Sequence, residues 1–240
     1  LIRWPRAVPE VGPGAPEQLP SRVADNLYWV GRYAERAEGL ARMARAVLRH
    51  AREVRDYGDP ADAVALGRLI DGFCALAGVA SDAFPHRDEV LLTLLLDEQQ
   101  PGSLPQTLLR LGQAAEQLKD RWAPDASRVL DEIGQRLVQA QGLSPQALGA
   151  VEEALDPLIT ALLTFSGLSL ESMTREQGWR FLMIGRRLER AQGTATLLLE
   201  TLAEAPDSAA EPLLLESLLR AHDSVMKHRR SYSALLDPAS

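Results

Sequence analysis

Apolar residues recur along 21–57 in steps of three and four, at Val23, Leu27, Val30, Ala34, Ala37, Ala41, Ala44, Leu48 and Ala51. That spacing is one stripe of a long amphipathic helix. With Ser21 as its N-cap, the helix runs to about Asp56 and stops at Gly58-Asp59-Pro60. It measures roughly 50 Å at 1.5 Å per residue, too long for a small globule unless other helices pack along it. The same period continues through Asp62 to Ala77, a short apolar helix from Asp88 to Asp97, and Leu104 to Trp122 capped by Ser103. Pro124 opens a further helix to about Gln141, with Val129, Ile133, Leu137 and Val138 inward and Gly142 as its stop.

Ser144-Pro145 places a cap before a first-turn proline, and the helix it starts runs past Pro157, an expected kink, towards Met173. Thr174 to Gln177 fits a capping box. The helix behind it has the stripe Ile184, Leu188, Ala191, Ala195, Leu198 and Leu202. Each of these lies 154 positions after a stripe residue of the first helix. A last helix is expected from about Glu211 to Leu236. No stretch alternates with period two, so the fold class is all-α, a bundle of about seven to eight helices with an internal pseudo-repeat.

The repeat carries a motif. Gly31-Arg32-Tyr33-Ala34-Glu35-Arg36-Ala37 and Gly185-Arg186-Arg187-Leu188-Glu189-Arg190-Ala191 share Gly-Arg-x-x-Glu-Arg-Ala. These charges flank a buried stripe and so require partners. Cross-pairing of Glu35 with Arg190 and of Glu189 with Arg36 meets that need, because a guanidinium fork holds a carboxylate through two hydrogen bonds. Gly31 and Gly185 become points of close approach. The functional alternative is that Arg32, Arg36, Arg186 and Arg190 line a site for a carboxylate or phosphate.

Composition narrows the rest. The chain is 46% hydrophobic but only 5% aromatic, and its net charge of −7 with a pI near 5.2 argues against a general nucleic-acid binder. Residues 22–57 hold eight arginines against five acids, and Lys227-His228-Arg229-Arg230 is a second basic cluster. They read either as solvated faces with local partners or as a cationic groove for an acidic partner. Residues 1–20 contain five prolines and read as an extended linker ahead of the domain at 21–240. Cys74, in an apolar run, is a buried hydrophobe. His50, His86, His222 and His228 are scattered without metal-ligand spacing, so neither metal nor cofactor is expected, and no phosphate-binding Gly-rich loop is present. His222-Asp223 is a minor candidate for a proton-transfer pair. Trp29, Tyr33, Trp179 and Phe181 read as core aromatics. No apolar run of about 18 residues is apparent, which argues against a membrane and for a cytoplasmic domain.

Ser21 to Glu38 resembles the opening of the bacterial Alpha-E domain family, and Gly178 to Ala191 is similar to that family's second signature. Leu96-Asp-Glu-Gln-Gln-Pro-Gly-Ser103 resembles its Leu-Asp-x-x-Asn-Pro-x-Ser loop, with Gln100 where Asn is usual. The Pro-rich lead-in looks like the junction found where this domain follows a circularly permuted ATP-grasp ligase. Family members are also encoded beside such ligases and transglutaminase-like proteins. The resemblance implies a non-catalytic accessory or interaction domain of an amide-ligase system. The alternative it implies is an enzyme with an Arg-lined site for an acidic peptide or amino acid. The family continues beyond a second loop of this kind, and the chain reaches only Leu236-Asp237-Pro238-Ala239-Ser240, so the final helices of the second half are expected to be absent.

Overall fold

The computed structural model describes residues 19–84, 87–142, 148–203 and 209–232. Among them are nine α-helices, two short 3-10 turns and no strand: α1 (Ser21–Tyr57), α2 (Pro60–Ala77), α3 (Arg87–Leu96), α4 (Leu104–Glu116), α5 (Pro124–Gln141), α6 (Leu148–Ser172), α7 (Gln177–Thr201), α8 (Glu211–Ala221) and α9 (Val225–Tyr232). The count exceeds the expected seven to eight because the last expected helix breaks at Asp223, whose φ of 52° is left-handed and cannot continue an α-helix. The expected linker at 1–20, the Ser144-Pro145 start and Leu137 as an inward side chain fall largely or wholly outside the described residues.

Helix α1 is the spine, and α2, α4, α6, α7 and α8 all pack on it. Leu27, Val30, Ala34, Ala37, Ala41, Ala44 and Leu48 are each at most 4% exposed, so its apolar stripe is core except at its two ends, where Val23 and Ala51 are half-buried. Its opposite side is buried too, because α7 lies there. That double burial explains why so long a helix persists: its stability comes from packing along its length rather than from intrinsic propensity.

Several helix starts depart from the sequence reading. Ser21 lies inside α1, whose cap position is Pro20 with no side-chain bond. Helix α2 begins two residues earlier than expected, at Pro60. Asp59 Oδ1 accepts from the amides of Ala61 and Asp62, and Asp62 returns a carboxylate to the Asp59 N–H at 3.0 Å, a complete capping box. Gly78 ends that helix in the left-handed conformation, φ 76°. Ser103 caps α4 as expected by accepting from the Gln106 N–H. However, α4 stops at Glu116, and a 3-10 turn leads to Trp122, which anchors by donating to the Ala115 carbonyl at 3.0 Å. The capping box at Thr174 to Gln177 does not form: α7 starts at Gln177 with Glu176 at the cap and no side-chain bond. Val138, expected inward, is exposed.

Helix α6 continues through Pro157 and buries Val151, Leu155, Leu158, Ile159, Leu162 and Phe165. Glu152 and Asp156 at its start take up Arg45, Arg49 and Arg52 of α1, so these arginines serve α1–α6 packing rather than lying as a free face. Its stretch Gly149–Ser172, with mean hydropathy 1.2, is long and apolar enough to cross a membrane by length and composition, contrary to the sequence expectation. The buried residues along it make it a core helix of this bundle.

Candidate functional site

The motif residues gather where α1 crosses α7. A methyl group added to Gly31 would collide with the carbonyl oxygen of Leu182, and one added to Gly185 with the carbonyl oxygen of Tyr28. Only glycine lets two backbones approach this closely. The crossing is reciprocal: each contact has a counterpart 154 positions away.

Above the glycines, the charges interlock. Glu35 receives Arg190 Nε at 2.5 Å and Arg190 Nη2 at 3.0 Å, and its Oε2 also accepts from Arg186 Nε and Nη2 at 3.2 and 3.1 Å. Glu189 receives Arg36 Nε at 2.5 Å and is ion-paired to Arg32. Arg32 also donates to the Tyr28 hydroxyl and to Gln192 Oε1, each at 3.1 Å. Two glutamates thus hold four arginines. Glu35, Glu189 and Arg186 are buried, while the Arg190 side chain is 60% exposed. The Glu35 hydrogen bond raises the Arg190 pKa further above its already high value, so this cation is permanent.

The network extends one turn further along α1 than the motif. Glu38, 6% exposed, accepts Arg42 Nε at 3.0 Å through Oε1, while its Oε2 has no hydrogen-bond partner and stands 3.8 Å from Arg186. Glu38 and Arg42 were not among the sequence-derived site residues. Their signal was present in outline, because Gly39 and Gly193 also lie 154 apart and both face Leu76.

These residues floor a cleft of about 640 Å³ between α1, α7 and the α8–α9 turn. Arg36 and Arg190 line it, but Arg32 and Arg186 do not; they sit behind its floor. Leu76, Leu163 and Leu197 supply an apolar wall, and His222, Asp223, Ser224 and Lys227 form the rim. His222 and Asp223 therefore reach a shared cleft through the break between α8 and α9. His222 is exposed at the mouth yet walled in by the cleft. That partial desolvation comes first, with the fields of Arg190 and Arg42 behind it. Together they outweigh Glu35 and hold the imidazole below its usual range.

The outer face of α7 departs most from expectation. Ile184, Leu188 and Leu198, read as its seam, are 54%, 47% and 46% exposed, and Phe181 and Leu199 are exposed beside them. Helix α7 packs instead through Leu182, Gly185, Arg186, Glu189, Leu197 and Thr201. Trp29 is likewise exposed, stacked on Tyr33 with centroids 5.4 Å apart, rather than a core aromatic.

Comparison with known proteins places these observations. The family model Alpha-E, described as a predicted alpha-helical domain with a conserved ER motif, matches residues 19–240. Glu35-Arg36 and Glu189-Arg190 are the two ER pairs of this chain. The uncharacterized protein Rv2567 of Mycobacterium tuberculosis H37Rv is 33% identical over 226 residues, covering 87% of this chain and 25% of that protein. The uncharacterized protein Mb2597 of Mycobacterium bovis matches with the same identity and coverage. The chain thus spans about a quarter of the length of these curated relatives. No solved structure matches it.

Proposed function

The chain belongs to the Alpha-E family, and we propose that it acts as a non-catalytic accessory and interaction domain of an ATP-grasp amide-ligase system. The observation that carries this reading is the solvent-facing apolar stripe of α7. Phe181, Ile184, Leu188, Ala191, Ala195 and Leu198 correspond, 154 positions on, to Leu27, Val30, Ala34, Ala37, Ala41 and Ala44 of α1. The α1 set is fully buried, whereas four of the α7 set are large and substantially exposed. An ordered row of large apolar groups on a helix surface marks a docking face. Arg180 and Arg187, exposed beside it, suit a partner helix with acidic flanks. We read the ligase as that partner from the family associations the motifs imply.

The enzyme alternative asks for unpaired motif arginines directed into a pocket. Each of the four instead has a glutamate partner, which favours a motif that holds α1 and α7 in register. The reciprocal contacts across Gly31 and Gly185 support reading the two halves as an internal repeat. An ATP-dependent partner makes the cytoplasm the expected compartment.

The test is reconstitution with an ATP-grasp ligase of the kind the family association implies. Amide formation is measured with no domain, with the wild-type domain, and with an Ile184→Asp/Leu188→Asp double variant whose helicity is checked by circular dichroism. Stimulation by wild type and its loss in the folded variant is the expected result. A ligase equally active without the domain overturns the proposal.

A further inference from the structure

A second cavity, of about 170 Å³, lies between α1 and α8 and shares only Arg42 and Asp223 with the cleft described above. Helix α7 contributes nothing to its lining, so what it holds is separate from what docks on α7.

Arginines dominate its wall. Arg42, Arg45 and Arg49 are spaced three and four apart, which puts them on one flank of α1, and Arg220 joins them from α8. Ala46, between them, has no side chain beyond Cβ to fill the space. The carboxylates that anchor these arginines stand outside the cavity: Glu38 for Arg42, Asp156 for Arg45, Glu152 for Arg49 and Glu216 for Arg220. Each guanidinium carries five N–H groups, and the anchors take few of them. Arg42 gives Nε to Glu38 at 3.0 Å, Arg45 gives one nitrogen to Asp156, and Arg220 gives one to Glu216 at 2.7 Å. Arg49 stands 3.5 Å from Glu152 without a hydrogen bond. The cavity is thus rich in fixed, unused donors rather than in free charge.

Two buried polar groups on the wall point to the occupant. Ser217 is 8% exposed, and its hydroxyl makes no hydrogen bond among the described residues. A helical serine commonly turns its hydroxyl to the carbonyl four residues back, as Ser169 and Ser172 do in α6. His50 is 5% exposed, with Nε2 3.1 Å from the Asp62 carbonyl. A carbonyl only accepts, so Nε2 carries the ring proton and Nδ1 is left as an acceptor. Glu53 is 3.9 Å from Nδ1, beyond hydrogen-bond reach, and its own side chain is 57% exposed at the rim. Neither the Ser217 hydroxyl nor His50 Nδ1 is sealed off by packing, and both residues line the cavity.

We propose that this cavity binds a phosphate group, as inorganic phosphate or as the terminal group of a phosphate monoester. Phosphate oxygens accept from guanidinium groups on two helices and from the Ser217 hydroxyl, whereas the two oxygens of a carboxylate leave donors unanswered. A protonated phosphate oxygen also donates to His50 Nδ1, which a carboxylate ion, having no proton, cannot do. The volume of about 170 Å³ admits a phosphate group and leaves no room for a nucleotide base beside it. Binding, not turnover, is assigned here.

Titration calorimetry on the full chain tests this with inorganic phosphate and O-phospho-L-serine, and with acetate as the carboxylate control, in about 150 mM salt to suppress diffuse attraction. Saturable binding of at least one of the two phosphates is expected, with acetate weaker by about tenfold or more. Tighter binding of phosphoserine marks a monoester site, and tighter binding of inorganic phosphate a site for the free ion. Arg220→Gln, at a partly exposed position, and Ser217→Ala, which removes one oxygen, each weaken binding by about fivefold or more. Arg229→Gln, exposed on α9 and outside the cavity, leaves it unchanged. Lack of saturable binding by both phosphates overturns the proposal. So does equal affinity for acetate, unchanged affinity in Arg220→Gln, or an equal loss in Arg229→Gln. Should a thermal melt show Ser217→Ala unfolded, Arg220→Gln and the acetate comparison decide the matter. Loss of ligase stimulation by the α7 variant with phosphate binding retained separates this site from the docking face.

Discussion

Gly31 of α1 and Gly185 of α7 each press against the other helix so closely that neither position has room for a single methyl group. The obstacle is backbone carbonyl in both cases, so relief requires moving a helix rather than turning a side chain. Everything above the crossing, four arginines on two glutamates, depends on that separation.

Gly31→Ala should therefore destabilise the protein by about 2 kcal/mol or more, since overpacking costs exceed the roughly 1 kcal/mol that alanine gains in a helix. Gly112→Ala in α4, where an added methyl meets nothing within 4 Å, should instead stabilise by up to about 1 kcal/mol. Urea unfolding of both variants checks the contrast. A stabilised Gly31→Ala would mean that the helices do not meet here.

Glu35→Gln leaves buried Arg186 and exposed Arg190 without their shared charge. A loss of about 3 kcal/mol is expected, at the low end for breaking a buried pair because Arg190 retains water. Arg190→Leu alone should cost only about 1 kcal/mol. A double-mutant cycle between the two measures the pairing, and an interaction energy indistinguishable from zero would dispose of the clamp.

Equivalent substitutions on the two stripes should behave oppositely. Val30→Asp places a charge at a fully buried position and should unfold the domain, whereas Ile184→Asp, at 54% exposure, should alter stability by no more than about 0.5 kcal/mol. Thermal melts of the pair read this directly. Equal losses would show that α7 is covered as α1 is.

Acid should weaken the fold through His222. Its folded pKa lies below the unfolded value of about 6.5, so the native state resists protonation. The stability it contributes is present above that value and falls away as pH drops through the folded pKa. Ring-proton NMR should show His222 titrating below 6.5, and Arg190→Gln should move it upward by removing a neighbouring cation. A downward or absent shift in that variant would contradict the assigned field.

Much of the bundle was legible because helix existence follows from local periodicity and punctuation. Ser103 and the Pro124 start stand where the pattern put them, and the Glu-Arg positions meet across the helices. The seam of α7 was misread for a definite reason. Period alone locates an apolar stripe but says nothing about which neighbour covers it. Here α7 closes on α1 through glycine and charge, the face with the least hydrophobic signal. Arg42 and Lys227 were legible only as members of two separate basic stretches, because nothing in local sequence ties residue 42 to residue 227.

The sequence by itself determined an all-helical chain, a long central helix, and two copies of one charged motif at matching positions. Those follow from side-chain period, capping chemistry and the burial that apolar residues require. Only the tertiary structure decided that the same stripe is core on α1 and surface on α7, that each motif arginine meets a glutamate of the other helix, and that the turn at Asp223 closes a cleft above them. Each depends on which surfaces meet, and contact between residues 150 positions apart is set by packing of the whole bundle rather than by any local pattern.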